Sequence, residues 1–269
     1  MSNILDEIIG ETRRGLPARM SERPPSDLKS MPLYAAERRG FALAVTGPPI
    51  RFIAEHKRRS PSRGVIRDDI SLRDVVAQYE QGGASAISVL TEPTYFGGSL
   101  ADLSEARRTA GLPLLRKDFI VHPYQIVEAR AFGADAILLI AAVLEGSELT
   151  ELHAAATDED LDVLVEVHEP RELERVNLDA INLIGVNNRD LRTFEVDMTA
   201  SRRIFRLLPE NTIRVSESGF ASIADVSTAA EFGADSILVG ETLMRAGNPH
   251  ELLATWVAEA VALVPDSRT

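Results

Sequence analysis

The feature of this chain that most constrains its fold is an alternation of short β-branched runs with longer amphipathic segments, which starts near residue 51. The runs are apolar almost throughout, as expected for parallel strands that are covered on both faces. Between them, segments such as 72–81, 123–132, 171–176 and 221–232 place apolar residues at helical spacing. Eight strands are therefore predicted, at 51–57, 86–90, 114–117, 135–140, 162–167, 182–186, 212–216 and 236–239.

The number and spacing of these units predict a (β/α)8 TIM barrel. Eight βα units occupy roughly 215 residues, and barrels of this type usually have about 250. Internal similarity supports one repeated unit, because FGADAILLI at 132–140 recurs as FGADSILVG at 232–240, and GGASAISVL at 82–90 is a weaker third copy. A doubly wound open sheet is the alternative fold.

Residues 1–48 precede the barrel and carry two helical patterns, at 4–14 and 26–39. Gly47-Pro48-Pro49 then breaks the chain before the first strand. These helices are too short to bury a core of their own. We therefore expect a helical extension at 1–48, packed on a single catalytic barrel at 49–269.

Composition limits the chemistry that the chain can perform. The formal charge is −12 at pH 7, which argues against a general attraction to nucleic acid or to an anionic membrane. The absence of cysteine excludes disulfides and thiolate chemistry, and the five histidines lack metal-ligand spacing, so we expect neither a metal nor a cofactor. Neither a signal peptide nor an apolar run long enough to span a membrane is visible, so we expect a cytoplasmic protein. We also expect the protein to be monomeric or weakly homo-oligomeric.

Lysine is scarce, since only Lys29, Lys57 and Lys117 occur among 29 lysine and arginine residues. Lys57 and Lys117 fall at the carboxyl ends of predicted strands, where barrels of this type carry their active sites. A buried lysine can have its pKa lowered into the range useful for proton transfer, and it also attracts anionic groups. Glu55 lies on the same strand face as Lys57. The alternatives are a solvated Glu55–Lys57 ion pair and a structural ion pair of Lys117 with Asp118 or a nearby glutamate.

Polar residues also end the later strands. Glu166 interrupts an apolar strand, where a carboxylate is costly unless it is paired or functional. Asn187 and Arg189 share a face and suit a carboxylate or hydroxyl groups, although a turn held by its own side chains is the alternative. Gly219 and Gly240 stand at strand-to-helix junctions whose backbone N–H groups can bind phosphate. The set indicates proton-transfer chemistry on a sugar phosphate.

Six blocks of the sequence match a known pattern in order: IAEHKRRSPS at 53–62, LRKDF at 115–119, LVEVH at 164–168, IGVNNRD at 184–190, SESG at 216–219 and VGETLM at 239–244. They resemble the indole-3-glycerol-phosphate synthase family, and the resemblance covers about residues 4–262. It implies closure of the indole ring of 1-(2-carboxyphenylamino)-1-deoxyribulose 5-phosphate, with loss of carbon dioxide and water, in tryptophan biosynthesis. This is lyase chemistry that needs no metal and no cofactor.

The resemblance also implies a role for each matching residue. Lys117 corresponds to the general acid at the ribulose carbonyl, and Glu166 to the carboxylate that stabilises the developing cation and assists proton removal. Glu55 and Lys57 match a pair implicated in dehydration and positioning, and which lysine acts at which step stays open. The implied substrate-binding residues are Asn187, Arg189, Glu217 and Phe96, and the implied phosphate-binding residues are Ser60, Ser218, Gly219, Gly240 and Glu241, the last through its backbone.

Two other functions remain possible from the residues alone. One is a Schiff-base sugar-phosphate aldolase that uses Lys57 or Lys117, and the other is a phosphate-binding barrel without catalytic activity. We also expect the loop at 58–64 to close over the substrate, and His56 to face the helical layer.

Overall fold

Eight parallel strands close into a barrel in the computed structural model of this protein, which describes residues 4–190 and 193–262. Each barrel strand pairs with the next barrel strand along the chain, and the last pairs with the first. The predicted (β/α)8 barrel is confirmed, and the doubly wound sheet is wrong because this sheet has no open edge. In chain order the strands are β1 (Arg51–His56), β2 (Arg59–Ser60), β3 (Gly64–Val65), β4 (Ala86–Leu90), β5 (Leu114–Lys117), β6 (Ala136–Ile140), β7 (Asp162–Val167), β8 (Leu183–Asn187), β9 (Ile213–Glu217) and β10 (Ser236–Val239).

The short strands β2 and β3 form an antiparallel hairpin that follows β1 and stands apart from the barrel sheet. Helices occupy the connections between the barrel strands, and serine caps begin two of them. The hydroxyl groups of Ser71 and Ser99 accept the backbone N–H groups of Asp74 and Asp102. The helices are α1 (Ile4–Glu22), α2 (Pro25–Lys29), α3 (Phe41–Ala44), α4 (Leu72–Gln81), α5 (Leu100–Thr109), α6 (Pro123–Ala131), α7 (Glu148–Asp158), α8 (Thr199–Phe205), α9 (Ile223–Glu231), α10 (Glu241–Arg245) and α11 (Pro249–Ala262).

The barrel strands begin and end within one residue of their predicted bounds. One predicted helix is wrong, because the segment at 171–176 is a short 3-10 helix over Pro170–Arg175. None of its residues is buried. Without an apolar face to pack against the barrel, nothing stabilises a longer helix there.

The extension differs from its predicted helices. The first helix is longer than expected and reaches Glu22. The second ends at Lys29 instead of 39, because Pro32 follows closely and a residue before proline is driven away from helical dihedral angles. Turns replace the rest of the predicted helix, and the short helix α3 follows it at Phe41–Ala44.

The extension contacts both ends of the barrel. At the carboxyl ends of the strands, Ile8 of α1 is buried in the same apolar cluster as the barrel interior. At the other end, the Arg38 guanidinium donates to the carbonyl of Ala134, and that of Arg39 donates to the carbonyl of Leu112. Both carbonyls lie in loops that precede strands. Within the described part of the chain, no helix is long and apolar enough to cross a membrane.

Candidate active site

A cavity of about 380 Å³ opens at the carboxyl ends of the barrel strands. Its wall contains every residue for which the sequence predicts a catalytic or binding role. Side chains from α1 and from the β2–β3 hairpin complete the wall. The predicted residues that line it are Glu55, Lys57, Ser60, Phe96, Lys117, Glu166, Asn187, Arg189, Glu217, Ser218, Gly219, Gly240 and Glu241.

Lys117 ends β5 and points into this cavity between carboxylates from other strands. Its Nζ lies 3.3 Å from Glu166 Oε2 and 3.1 Å from Glu217 Oε2. Burial alone would lower the pKa of Lys117, but Glu217, Glu166 and Glu55 outweigh burial and raise it. The pKa of Lys117 is thus raised and not lowered, because several carboxylates surround the amine, and the sequence did not show how many. Lys117 therefore carries a protonated ammonium group at neutral pH.

Strand alternation separates Lys117 from its chain neighbours. Arg116 points away from the cavity and is fully buried, and its Nη2 lies 2.8 Å from Asp118 Oδ2. Burial raises the pKa of Asp118, but the charge of Arg116 and a hydrogen bond from Thr91 outweigh it and lower that pKa. Of the two alternative ion pairs of Lys117, the one with Asp118 is wrong, and the one with nearby glutamates is present, with Glu166 and Glu217.

Glu55 and Lys57 form a second pair at the end of β1. Lys57 Nζ lies 2.9 Å from Glu55 Oε1, and the Ser88 hydroxyl donates to Glu55 Oε2 at 3.3 Å. Burial raises the pKa of Glu55, but Lys57 and Lys117 outweigh burial and lower it, so Glu55 is ionised. Glu55 is only 3% exposed, which excludes the alternative of a solvated ion pair. His56, between them, is buried and its pKa falls to about 4 because burial disfavours its charged form.

Glu217 is buried at the end of β9, over a glycine of the neighbouring strand. A Cβ on Gly185 would stand 2.2 Å from Glu217 Oε1, so a side chain at this position would displace the Glu217 carboxylate. Burial, together with the nearby charges of Glu166 and Glu55, raises the pKa of Glu217 to about 8 against the opposing charge of Lys117. The cluster holds three carboxylates and two ammonium groups. Protonation of Glu217 removes the excess negative charge.

Asn187 and Arg189 line the cavity after β8, and local hydrogen bonds also hold them. Asn187 Oδ1 accepts the backbone N–H of Arg189 at 3.0 Å, and Arg189 Nη1 donates to the carbonyl of Phe194 at 3.1 Å. His168 Nδ1 lies 2.6 Å from the Asn187 carbonyl oxygen. The residues thus shape their own turn, as one alternative expected, and they also present an amide and a guanidinium to the cavity.

The two loops for which the sequence predicts phosphate binding, at Ser218-Gly219 and at Gly240-Glu241, follow β9 and β10. Ser218 and Gly219 both have positive φ, at 68° and 93°, which turns their backbone sharply beside the cavity. A Cβ on Gly240 would stand 2.7 Å from Glu55 Oε1, so a side chain at this position would displace the Glu55 carboxylate. Ser60 reaches the same cavity from the β2–β3 hairpin.

Sequence reasoning missed several residues of this wall. Arg63 Nε and Arg245 Nε each lie 3.2 Å from the Glu241 carboxylate, and both arginines line the cavity. Phe119 packs against Phe96 with the ring centroids 6.0 Å apart. Among residues 4–190 and 193–262, no cluster of acidic and histidine side chains could hold a metal ion.

The apolar residues Ile4, Leu5 and Ile8 of α1 also line the cavity. Their helical spacing is visible in the sequence, but it does not show that the face is turned toward the strand ends. The barrel with its extension therefore combines a cluster of carboxylates and amines, an aromatic wall and glycine-containing loops in one cavity.

The comparison with known protein families agrees with this geometry. A family model described as indole-3-glycerol phosphate synthase matches residues 5–255. This chain belongs to the indole-3-glycerol phosphate synthase family. The family's match covers the extension helix α1 as well as the barrel.

Similar curated members of the indole-3-glycerol phosphate synthase family align over nearly all of the chain. An indole-3-glycerol phosphate synthase of Salinibacter ruber is 47% identical, covering 96% of each chain. Another, of Burkholderia multivorans, is 46% identical and covers 94% of this chain and 98% of its own.

Solved structures at lower identity support the barrel alone. A thiamine phosphate pyrophosphorylase from Pyrococcus furiosus is similar with a TM-score of 0.62 at 14% identity, covering 80% of this chain and 98% of its own. An orotidine 5'-phosphate decarboxylase from Pyrococcus horikoshii has a TM-score of 0.59 at 14% identity, covering 78% of this chain and 99% of its own.

Proposed function

We propose that this chain closes the indole ring of 1-(2-carboxyphenylamino)-1-deoxyribulose 5-phosphate and releases carbon dioxide and water, in tryptophan biosynthesis. The observation that carries the proposal is the position of Lys117, an ammonium group between Glu166 and Glu217 in a cavity that also contains an aromatic wall and glycine-containing loops. The family to which the chain belongs supports the same reaction.

Ring closure uses Lys117 as the general acid. As the aromatic carbon that bears the carboxyl group attacks the ribulose carbonyl carbon, Lys117 Nζ donates a proton to the carbonyl oxygen, which becomes a hydroxyl group. The new carbon–carbon bond leaves positive charge on the aromatic nitrogen, and Glu166 stabilises that charge. A positioned acid of this type accelerates a step by about 10²- to 10⁴-fold.

The remaining steps restore aromaticity. The carboxyl group leaves as carbon dioxide, and the electron pair of the broken bond neutralises the cation. The hydroxyl group then leaves as water with a proton from an acid, while a carboxylate accepts the proton lost from the ring. We assign this dehydration to the Lys57 and Glu55 pair, whose atoms are 2.9 Å apart, together with Glu166.

Substrate binding divides between two parts of the wall. The aromatic ring of the substrate lies against Phe96 and Phe119, where apolar surface is available. Asn187, Arg189 and Glu217 contact its carboxyl and hydroxyl groups. Backbone N–H groups near a helix start favour an anion, and the residues that hold the phosphate are Ser60, Ser218, Gly219, Gly240 and Glu241.

The cellular setting completes the proposal. The chain acts in the cytoplasm on this anionic sugar phosphate, as a monomer or weak homo-oligomer. Residues 1–48 and the barrel at 49–269 form one catalytic unit, because Leu5 and Ile8 of the extension line the cavity.

The decisive experiment adds the carboxyphenylamino substrate to the purified protein and follows indole fluorescence. We expect product from the unaltered chain and a loss of kcat of at least about 10²-fold in Lys117→Met. Lys29→Met is the matched control, because Lys29 pairs with Glu159 in a half-exposed site away from the cavity. No product from the folded, unaltered chain would refute the proposal.

A Schiff-base aldolase would need an uncharged amine as the nucleophile. The raised pKa of Lys117, set by Glu217, Glu166 and Glu55 against burial, disfavours this. Borohydride in the presence of the substrate separates the two reactions, because only an imine is trapped. We expect no covalent adduct on Lys57 or Lys117 by mass spectrometry.

A further inference from the structure

We propose that Glu92 is a positioning residue that holds the Phe96 ring in place as the wall for the substrate's aromatic ring. The inference rests on the proposed function, which places an aromatic ring at Phe96. Glu92 is only 6% exposed and stands two residues beyond β4. It is not among the residues that line the cavity, so it can affect the substrate only through its neighbours.

The Glu92 carboxylate accepts hydrogen bonds from three consecutive backbone N–H groups. Its Oε1 accepts from Thr94 N at 2.9 Å, and its Oε2 accepts from Tyr95 N at 2.6 Å and from Phe96 N at 3.0 Å. Successive N–H groups that point to one centre form an anion-binding concavity. Here the chain's own carboxylate fills that concavity, through charge-assisted hydrogen bonds that are stronger than neutral ones.

The guanidinium groups of Arg58 and Arg59 donate hydrogen bonds to carbonyl groups of the same loop. Arg59 Nη2 donates to the carbonyl oxygens of Pro93 at 2.9 Å and Thr94 at 2.6 Å. Arg58 Nη1 donates to the carbonyl of Gly97 at 3.1 Å. Because its N–H groups face a carboxylate and its carbonyls face guanidinium groups, the loop has one strongly preferred conformation.

The loop from Glu92 to Gly98 also packs closely against the end of β4. A Cβ on Gly98 would stand 2.0 Å from the carbonyl oxygen of Leu90, so this segment can approach the strand only with glycine. The Gly98 N–H donates to the main-chain carbonyl of Glu92 at 2.9 Å, which closes the loop. The segment between Glu92 and Gly98 is therefore fixed at both ends.

Phe96 is the residue of this loop that meets the substrate. Its ring lies 6.0 Å from that of Phe119, at an interplanar angle of 38°. Since Glu92 fixes the Phe96 backbone nitrogen, loss of the carboxylate lets the ring move. A displacement of about 1 Å is enough to misalign reacting groups and to lower the rate substantially.

Glu92→Gln is the sharpest test, because the side chain keeps its shape while an NH2 donor replaces one oxygen acceptor. At least one of the three N–H groups then loses its acceptor and faces another donor. We expect KM for the carboxyphenylamino substrate to rise about tenfold and kcat to fall about tenfold. Inhibition by inorganic phosphate should change less than twofold, since the phosphate loops follow other strands.

Two controls separate positioning from a general loss of structure. Glu80 Oε1 accepts the backbone N–H of Gly111 at 2.7 Å in a loop that precedes β5, at the end remote from the cavity. Glu80→Gln should leave KM and kcat unchanged. If Glu92→Gln does not fold, Glu92→Asp keeps the charge and shortens the reach, and it should raise KM by a smaller factor.

A double-mutant cycle tests whether the effect passes through Phe96. Phe96→Leu alone should raise KM, and adding Glu92→Gln to Phe96→Leu should change KM less than twofold. The proposal is overturned if Glu92→Gln keeps its full effect without the Phe96 ring. It is also overturned if folded Glu92→Gln has the KM and kcat of the unaltered protein.

Direct binding of 2-aminobenzoate, followed by its fluorescence, distinguishes this proposal from the proposed function. If the unaltered chain forms no indole product, the proposed function is wrong, while the role of Glu92 still predicts weaker 2-aminobenzoate binding in Glu92→Gln. If product forms and 2-aminobenzoate binds equally to both proteins, only the role of Glu92 is refuted.

Discussion

Replacement of Glu217 by glutamine should make the protein's stability less dependent on pH between about pH 5 and pH 9. The pKa of Glu217 is raised to about 8 from an ordinary value of 4.5, because the carboxyl group is buried and lies near Glu166 and Glu55. The folded state therefore holds a proton that the unfolded chain has already released at neutral pH. Stability from this proton is full below the unfolded pKa and is lost as the pH rises through the folded pKa.

The magnitude follows from the size of the shift. Each pKa unit corresponds to about 1.4 kcal/mol, so the shift sets an upper bound of about 5 kcal/mol on the loss between pH 5 and pH 9. Glu217 titrates together with Lys117 and Glu166, which spreads the proton over the group, and we expect a loss of about 2–3 kcal/mol. In Glu217→Gln this loss is absent, because the amide is neutral at every pH.

The assay is urea unfolding of the unaltered protein and of Glu217→Gln at each pH unit from 5 to 9. Asp102→Asn is the control. Burial raises the pKa of Asp102, but hydrogen bonds from Arg58 and Ser99 outweigh it and lower that pKa, so stability from Asp102 is lost only at acidic pH. The difference between Asp102→Asn and the unaltered protein should be constant over this range. A constant difference for Glu217→Gln as well would refute a protonated Glu217.

Three further outcomes follow from the site and its support. Glu166→Gln should lower kcat at least about 10²-fold in the fluorescence assay, while KM changes less than about threefold. A rise in KM as large as the fall in kcat would contradict the role of Glu166 in the chemical steps. Gly185→Ala should lower kcat at least about tenfold, because its Cβ would stand 2.2 Å from Glu217 Oε1 and displace that carboxylate; unchanged kinetics would show that Glu217 need not stay there. Arg116→Met should reduce the free energy of unfolding in urea by about 3–5 kcal/mol, because it leaves the buried Asp118 carboxylate without its guanidinium partner, whereas Glu128 keeps that of Arg19. The exposed Arg108→Met should not have this effect.

The positions of the site residues were predictable because strand periodicity is local. Two-residue alternation places Glu55 and Lys57 on one face, and this placement agrees with the structure, where both line the cavity. The (β/α)8 order then brings the strand ends to one side of the barrel. Local pattern and repeat number thus suffice to name which residues share the cavity.

Local sequence pattern does not predict properties that depend on residues far away along the chain. The direction of the pKa shift of Lys117 depends on Glu166 and Glu217, which are 49 and 100 positions away along the chain. The second extension helix ends early, at Lys29 before Pro32, and barrel contacts such as that of Arg38 with Ala134 hold the chain beyond it.

The sequence by itself determined the architecture and the chemical types at each strand end, because periodicity, turn residues and scarce lysines are properties of short segments. Only the tertiary structure decided which charges balance each other and which loop is held by Glu92. Electrostatic energies depend on distance and on burial. Both quantities are set when β7 and β9 bring Glu166 and Glu217, near their carboxyl ends, next to Lys117 at the end of β5.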